Sequence, residues 1–461
     1  MAIVPLAQVL SVPVSVRAHL RRALVIHSSL LLAIVLVISS NAASAQNALP
    51  ESSRLAVEPL VASVLQQNAG IHALRAAVDA AEARVKPAGS LPDPQLSAAV
   101  APETLDGLDT PAGRTRGPNA RFEISQAIPW PGTLGLRADA ARKDAQAVSQ
   151  SVASLRLRLA AATRTLYADW RYVHRALEIN NANQKIIGDL YDVAEGRYAA
   201  GLGQQQDVLQ AAVQRQRLKH QAIQFQRLQR DVRAKINRLL TRAPNTTIAA
   251  PPGLPVLGPI MAFDALRQQA IASHPELVKI ERQIAARKDR EALAHKAFYP
   301  DLKVFGGYNN LWDAREKRWV VGVGVSLPLD RSKYRAGLDE AQAQIMQSEF
   351  ELQDQRAELL SELEQAYAAA EEARHTIALY EKQLTPLARA NLSAARATYG
   401  AGDGAFLDVM TAEEKQLDID LNLERARADY FAARAQLARW SGAGLDTTPG
   451  DTDFNLDMFF K

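Results

Sequence analysis

The chain is 461 residues long, with 48% hydrophobic and 23% charged side chains. That balance excludes a disordered chain and a helical membrane protein, and the 54 basic and 50 acidic residues form no basic patch that argues for nucleic acid. Cysteine is absent, which excludes disulfides, thiolate zinc sites and a lipid on an N-terminal cysteine.

Residues 1–45 read as a signal peptide. Arg17, Arg21 and Arg22 supply a basic start. Ala23 to Ser39 is a nearly continuous apolar core, and Ala43-Ser44-Ala45 is a small-x-small cleavage site before Gln46. The alternative is an uncleaved anchor, but the apolar core is short for a membrane span. These residues hold three basic and no acidic side chains, so the mature chain carries 51 basic against 50 acidic residues.

A first unit is expected over 46–248. Gln95 to Ala101 and Arg121 to Ile128 read as a strand pair, with Phe122, Ile124 and Ile128 on one apolar face. From Gly132 to Ala243 there is no proline, and Ala, Leu, Gln, Arg and Glu dominate. That composition predicts two long helices joined by a tight turn at Gly201 to Gly203. The first, about 60 residues, would extend roughly 90 Å. Residues 249–259 carry four prolines and two glycines, which forbid helix and mark a linker.

The second unit, 260–442, starts the same way. His274-Pro275-Glu276 reads as the start of a helix, and His72 lies near a helix start in the first unit. Asp301 to Asn310 and Val320 to Leu329 form the second strand pair. Leu302 and Val304 share a face with Gly306 and Tyr308. Val321, Val323, Val325 and Leu327 alternate with Gly322, Gly324 and Ser326. A membrane strand needs about 9–11 residues, which these satisfy. Trp130, Phe298, Tyr299, Trp312 and Trp319 sit at strand ends, as interfacial aromatics do in outer membrane barrels. A small soluble hairpin packed on helices is the competing reading. A heptad-like seam of Leu352, Leu359, Leu363, Ala366, Ala370, Ala373, Ile377, Tyr380 and Leu384 predicts coiled-coil packing, interrupted and kinked at Pro386. Residues 443–461 form a C-terminal tail.

The chain repeats itself. Tyr198-Ala199-Ala200-Gly201-Leu202-Gly203, followed by Asp207-Val208-Leu209, recurs as Tyr399-Gly400-Ala401-Gly402-Asp403-Gly404, followed by Asp408-Val409-Met410. The offset is a constant 201 residues. Pro92-Asp93 answers Pro300-Asp301, Ile128-Pro129 answers Leu327-Pro328, and His72 answers His274, at offsets of 199 to 208. Four strands cannot close a barrel, and an open edge in lipid leaves unpaired N–H and C=O groups. Other copies of the chain must complete it, and three copies would supply twelve strands.

Strand pair, long helix, Y-x-x-G turn, D-V-L and returning helix, all given twice, resemble the TolC family of outer membrane factors over nearly the whole mature chain. The resemblance implies a fold that is mainly α with a small β part. Two tandem repeats would trimerise into a twelve-stranded outer membrane barrel continued by a periplasmic α-helical barrel. It implies a passive exit duct fed by an inner membrane pump and a periplasmic adaptor. The adaptor would dock at the tips, Tyr198, Gly201, Leu202, Gly203, Asp207, Tyr399, Gly402 and Gly404. Asp403 and Asp408 would line the pore entrance. The family's second acidic position at the entrance is Thr411 here, although Glu413 and Glu414 lie close by. Gln126-Ala127-Ile128-Pro129-Trp130-Pro131-Gly132 resembles a phrase of heavy-metal exporter subunits. No catalytic motif, cofactor site or metal cluster is expected, and the histidines are scattered. A periplasmic adaptor, which has one hairpin, and a plain coiled coil are the alternatives. The first does not explain two hairpins, and the second leaves the glycine-valine alternation unexplained.

Overall fold

A computed structural model of the chain describes residues 55–101, 119–309, 318–442 and 447–448. The expected signal peptide and its cleavage site, Trp312, Asn310 and most of the 443–461 tail lie outside the described residues.

Each repeat opens with a short helix capped into a longer one. In the first, α1 (Val57–Gln67) is followed by α2 (Ala69–Ala83), a single helical turn and then β1 (Gln95–Ala101) and β2 (Asn119–Ile128). Helix α3 (Thr133–Ala199) runs 67 residues, about 100 Å at 1.5 Å per residue, and α4 (Gln205–Leu239) returns. A two-residue β3 (Val256–Leu257) lies in the linker. The second repeat runs α5 (Phe263–Ser273), α6 (Pro275–Lys296), β4 (Asp301–Asn309) and β5 (Trp319–Ser326). Its descending arm is α7 (Arg331–Leu379), a π-helical turn (Tyr380–Leu384) and α8 (Thr385–Ala401), and α9 (Phe406–Ser441) returns. None of the described helices is long and apolar enough to cross a membrane.

The helix junctions correct one correspondence. Asn68 and His274 both sit between an 11-residue helix and its successor, with nearly the same backbone angles. Asn68 Oδ1 accepts the Gly70 N–H at 3.0 Å, and His274 Nδ1 accepts the Glu276 N–H at 3.3 Å. His72, expected to answer His274, lies inside α2, its Nε2 2.9 Å from the Gln66 carbonyl. Both caps satisfy helix-start donors, which is why Asn and His can exchange there.

The four strands form one antiparallel sheet in the order β1-β2-β4-β5. The two strand pairs meet through β2 and β4, which pair from Arg121↔Asn309 to Ile128↔Leu302. Strand β5 ends at Ser326, so Leu327, expected inside it, lies just beyond. Pro328 cannot donate to a ladder and restricts the residue before it, which stops pairing there.

Below the sheet the long helices pack side by side. Leu359, Leu363, Ala366, Ala370, Ala373 and Ile377 of the heptad seam are buried, while Leu352, Tyr380 and Leu384 are half-buried. Alanine in the seam lets helices approach closely. The interruption falls in the π turn, ahead of Pro386, which takes the second position of α8. A proline lacks the N–H for the carbonyl four residues back, and the wider turn makes room for its ring.

The proline-rich linker is strapped across the helices. Tyr167 O–H donates to Gly253 O at 2.9 Å and Trp170 Nε1 to Ala249 O at 3.0 Å. Arg434 Nη1 donates to Gly258 O at 2.7 Å. Two residues of the tail, Thr447–Thr448 (β6), pair with β3.

Candidate functional site

The sheet has two chemically distinct faces. Leu96 and Val100 of β1, Phe122, Ile124 and Ile128 of β2, Leu302 and Val304 of β4, and Val321, Val323 and Val325 of β5 share one face by register. All are exposed, Val321 at 85% and Leu96 at 77%. The opposite face is polar and small. Glu123 is paired with Arg121 and lies 3.7 Å from Lys303 Nζ, and the Phe305 ring occupies the space left by Gly322. An apolar outer face, a polar inner face and glycine-aromatic packing suit a membrane strand set. Among the described residues β1 and β5 each pair on one side only, so both outer edges stay open.

At the other end of the helices, the two tips share one backbone design. Gly201 and Gly402 take positive φ, 70° and 90°, with open space where a Cβ would stand. Two residues on, the chain turns back against the helix it has left. A Cβ on Gly404 would collide with Thr398 and Tyr399, and one on Gly203 would fit only tightly against Arg197 and Tyr198. The Y-x-x-G-x-G spacing thus serves two needs, a left-handed residue and then a close approach. Leu202 N–H donates to Arg197 O at 2.8 Å, and the Asp403 and Gly404 N–H groups both reach Thr398 O at 3.1 Å. Leu202 is 72% exposed and Tyr198 is also exposed, whereas Tyr399 packs edge-on against Phe406 at 5.5 Å.

The acidic residues divide. Asp403 and Asp408 are exposed. Asp207 and Asp408 occupy the third position of α4 and α9, behind Gln204 and Ala405, and neither helix start has a side-chain cap bond. Their carboxylates therefore act on the helix dipole, without the backbone hydrogen bonds that a capping position would give. Glu413, counted with the acids near the entrance, is buried and ion-paired with Arg396, so it adds no free negative charge. Glu414 is exposed. Asp418 is exposed too, and partial desolvation on the helix, together with the nearby Glu414, shifts its carboxyl above the usual range.

One contact was invisible to sequence reasoning. The Arg197 guanidinium lies 4.8 Å from the Tyr399 ring centroid, and its Nη1 donates to Tyr399 O at 3.4 Å. It joins the first tip to the second across two hundred residues, and no local pattern marks it. Among the described residues no group of three His, Asp or Glu is placed to hold a metal. His174 instead packs edge-on against Trp170 at 4.6 Å.

An open four-stranded sheet with a lipid-compatible face, set on two paired helical hairpins, is the fold of a TolC-like channel protomer. Solved structures agree. The outer membrane channel OprN superposes with a TM-score of 0.73 at 20% identity, over 84% of this chain and 90% of that one. The outer membrane protein VceC of Vibrio cholerae superposes with a TM-score of 0.71 at 18% identity, over 85% and 97%. The sequence profile of the outer membrane efflux proteins matches twice, over residues 60–242 and 266–443, and the chain belongs to that family. Among curated relatives, the alkaline protease secretion protein AprF of Pseudomonas aeruginosa is 24% identical over 278 residues, 58% of this chain and 57% of that protein. The matches span less than two thirds of the curated relatives' length.

Proposed function

We propose that the chain is the outer membrane channel subunit of a tripartite efflux system, a passive duct from the periplasm to the exterior. The observation that carries this reading is the apolar outer face of a sheet with two open edges, built on helices about 100 Å long. In lipid such edges must be paired, and three copies joined β5 to β1 give a twelve-stranded barrel over a tube of long helices. A periplasmic adaptor docks at the tips, at Tyr198, Gly201, Leu202, Gly203 and Asp207 and at Tyr399, Gly402 and Gly404. An inner membrane pump supplies the cargo, and the duct needs no catalytic group or cofactor.

The test is fractionation and mass. A heat-modifiable, detergent-extracted trimer in the outer membrane fraction is expected, and a soluble periplasmic monomer would sink the reading. Asp403 and Asp408 are proposed to ring the entrance. Asp408→Asn removes one charge per copy and no capping bond. Normal trimer yield with altered single-channel conductance or weaker block by divalent cations is expected, and unchanged conductance and block would remove Asp408 from the pore.

The finer reading, service to a heavy-metal pump, rests on the resemblance of Gln126 to Gly132. Deletion of the gene should sensitise cells to divalent metals more than to organic drugs, and the reverse pattern would reject it.

A further inference from the structure

The helix-proximal end of the sheet holds a cleft that the duct function does not use. It has a volume of about 520 Å³ and lies between the end of α6 and the connection from β5 to α7. His295, Phe298, Tyr299, Leu327, Leu329 and Arg331 line it. Leu327 and Leu329 continue the odd-numbered apolar row of Val321, Val323 and Val325 past the strand end, and remain 66% and 84% exposed. Two exposed leucines in water are costly, and on a membrane protein they mark hydrocarbon contact.

Around this apolar wall the chemistry changes to aromatic and cationic. Trp130 stacks on Tyr299 with centroids 4.9 Å apart, and Phe298 packs against Tyr334 at 5.7 Å. Lys296 Nζ lies 5.8 Å from the Tyr299 centroid, and Lys333 Nζ lies 5.8 Å from that of Tyr334. Arg331 joins them at the cleft itself. The two carboxylates nearby are turned to the backbone. Asp330 Oδ1 accepts the Ser332 and Lys333 N–H groups at 3.1 and 3.4 Å, and Asp301 Oδ1 accepts the Trp130 N–H at 2.9 Å. Lys296, Arg331 and Lys333 outnumber these two carboxylates, so the rim keeps a net positive charge just where the apolar face ends.

We propose that this cleft binds an anionic phospholipid of the periplasmic leaflet. Its acyl chain lies over Leu327 and Leu329, and its phosphate is held by Arg331 and Lys296 beside the aromatic cluster. A free anion would need the cations but not the leucine wall. A second copy would join along the outer edge of β5, whereas the cleft is walled by α6 and the start of α7 of the same chain. Aromatic rings at the border accept the glycerol level, and cations near an anionic surface each add attraction. The proposal rests on the membrane placement of the sheet.

The test uses the full chain in detergent, with native mass spectrometry after addition of phosphatidylglycerol or phosphatidylethanolamine. The wild type is expected to retain phosphatidylglycerol preferentially. Lys296→Gln and Arg331→Gln should each lower that preference about fivefold. Arg227→Gln, on α4, should leave it unchanged. Equal retention of the two lipids, or an unaffected double variant, would overturn the proposal. So would a photocrosslinker on Leu329→Cys, a unique thiol in this cysteine-free chain, if it captured a second copy in place of lipid. Failure of the channel reading looks different, because the wild type would then be missing from the outer membrane fraction and show no heat-modifiable band.

Discussion

A proline at Val323 should prevent assembly while sparing the chain's own sheet. The Asn309 N–H donates to Arg318 O at 2.8 Å, which makes that pair hydrogen-bonded. Opposed residues in an antiparallel ladder alternate between bonded and non-bonded pairs, and β4 and β5 run without a break in register from Tyr308↔Trp319 to Asp301↔Ser326. Val320, Gly322 and Gly324 therefore exchange bonds with β4, while Val321, Val323 and Val325 aim their N–H groups at the open edge. Val323→Pro removes an edge donor, and an edge strand tolerates the ring. In the trimer it strands a carbonyl of the neighbouring β1 in hydrocarbon, a cost of several kcal/mol at every seam. Gly322→Pro instead breaks the bond to Phe305 within the chain. Mass in detergent and heat-modifiable mobility are the assays. Val323→Pro should give chains that do not trimerise, and Gly322→Pro chains that fail earlier and are degraded. Trimers of Val323→Pro at wild-type yield would refute closure through β5. Identical early loss of both variants would refute the assigned N–H directions.

At the second tip, a Cβ on Gly404 would stand 2.8 Å from both Thr398 Oγ1 and Tyr399 N, while on Gly203 the nearest atoms are Arg197 Cβ at 3.1 Å and Tyr198 N at 3.2 Å. Gly404→Ala should cost about 2 kcal/mol locally and lower hydrogen-exchange protection of the Asp403 amide about 30-fold, with a smaller loss for Gly203→Ala at the first tip. Equal losses at both tips would contradict the geometry. Burial holds the His274 imidazole below its ordinary pKa, aided by the Arg439 charge and opposed by the Arg439 backbone contact and Glu276. The neutral ring is the capping form, so its contribution is complete above the ordinary value of about 6.5 and is lost as pH falls below it toward the depressed folded value. His274→Asn, the cap the first repeat already uses in Asn68, should flatten the pH dependence of the unfolding midpoint on the acid side of neutrality. An unchanged slope would exclude His274 as its source.

The duplication, the strand pairs, the proline-free first hairpin and the glycines at both tips could be read from residues alone, because each depends on local backbone chemistry or on strict spacing. Pro328 ends β5 three residues before the expected boundary for a local reason too, though one weaker than the valine-glycine alternation that precedes it. What the sequence could not decide is which side chains meet across the fold. The pairing of β2 with β4 joins residues nearly two hundred apart, as does the contact of Arg197 with Tyr399. Glu413 reads as a surface acid on an amphipathic helix, and only the packing of α8 against α9 buries it beside Arg396. His72 and His274 look alike in one dimension, but Asn68 takes the matching place because capping follows the end of the preceding helix and not the residue type. Local propensity writes the elements of this protein. Their register against one another, and hence the open edges, the apolar face and the cationic cleft, comes from tertiary packing, in which distant side chains share one surface.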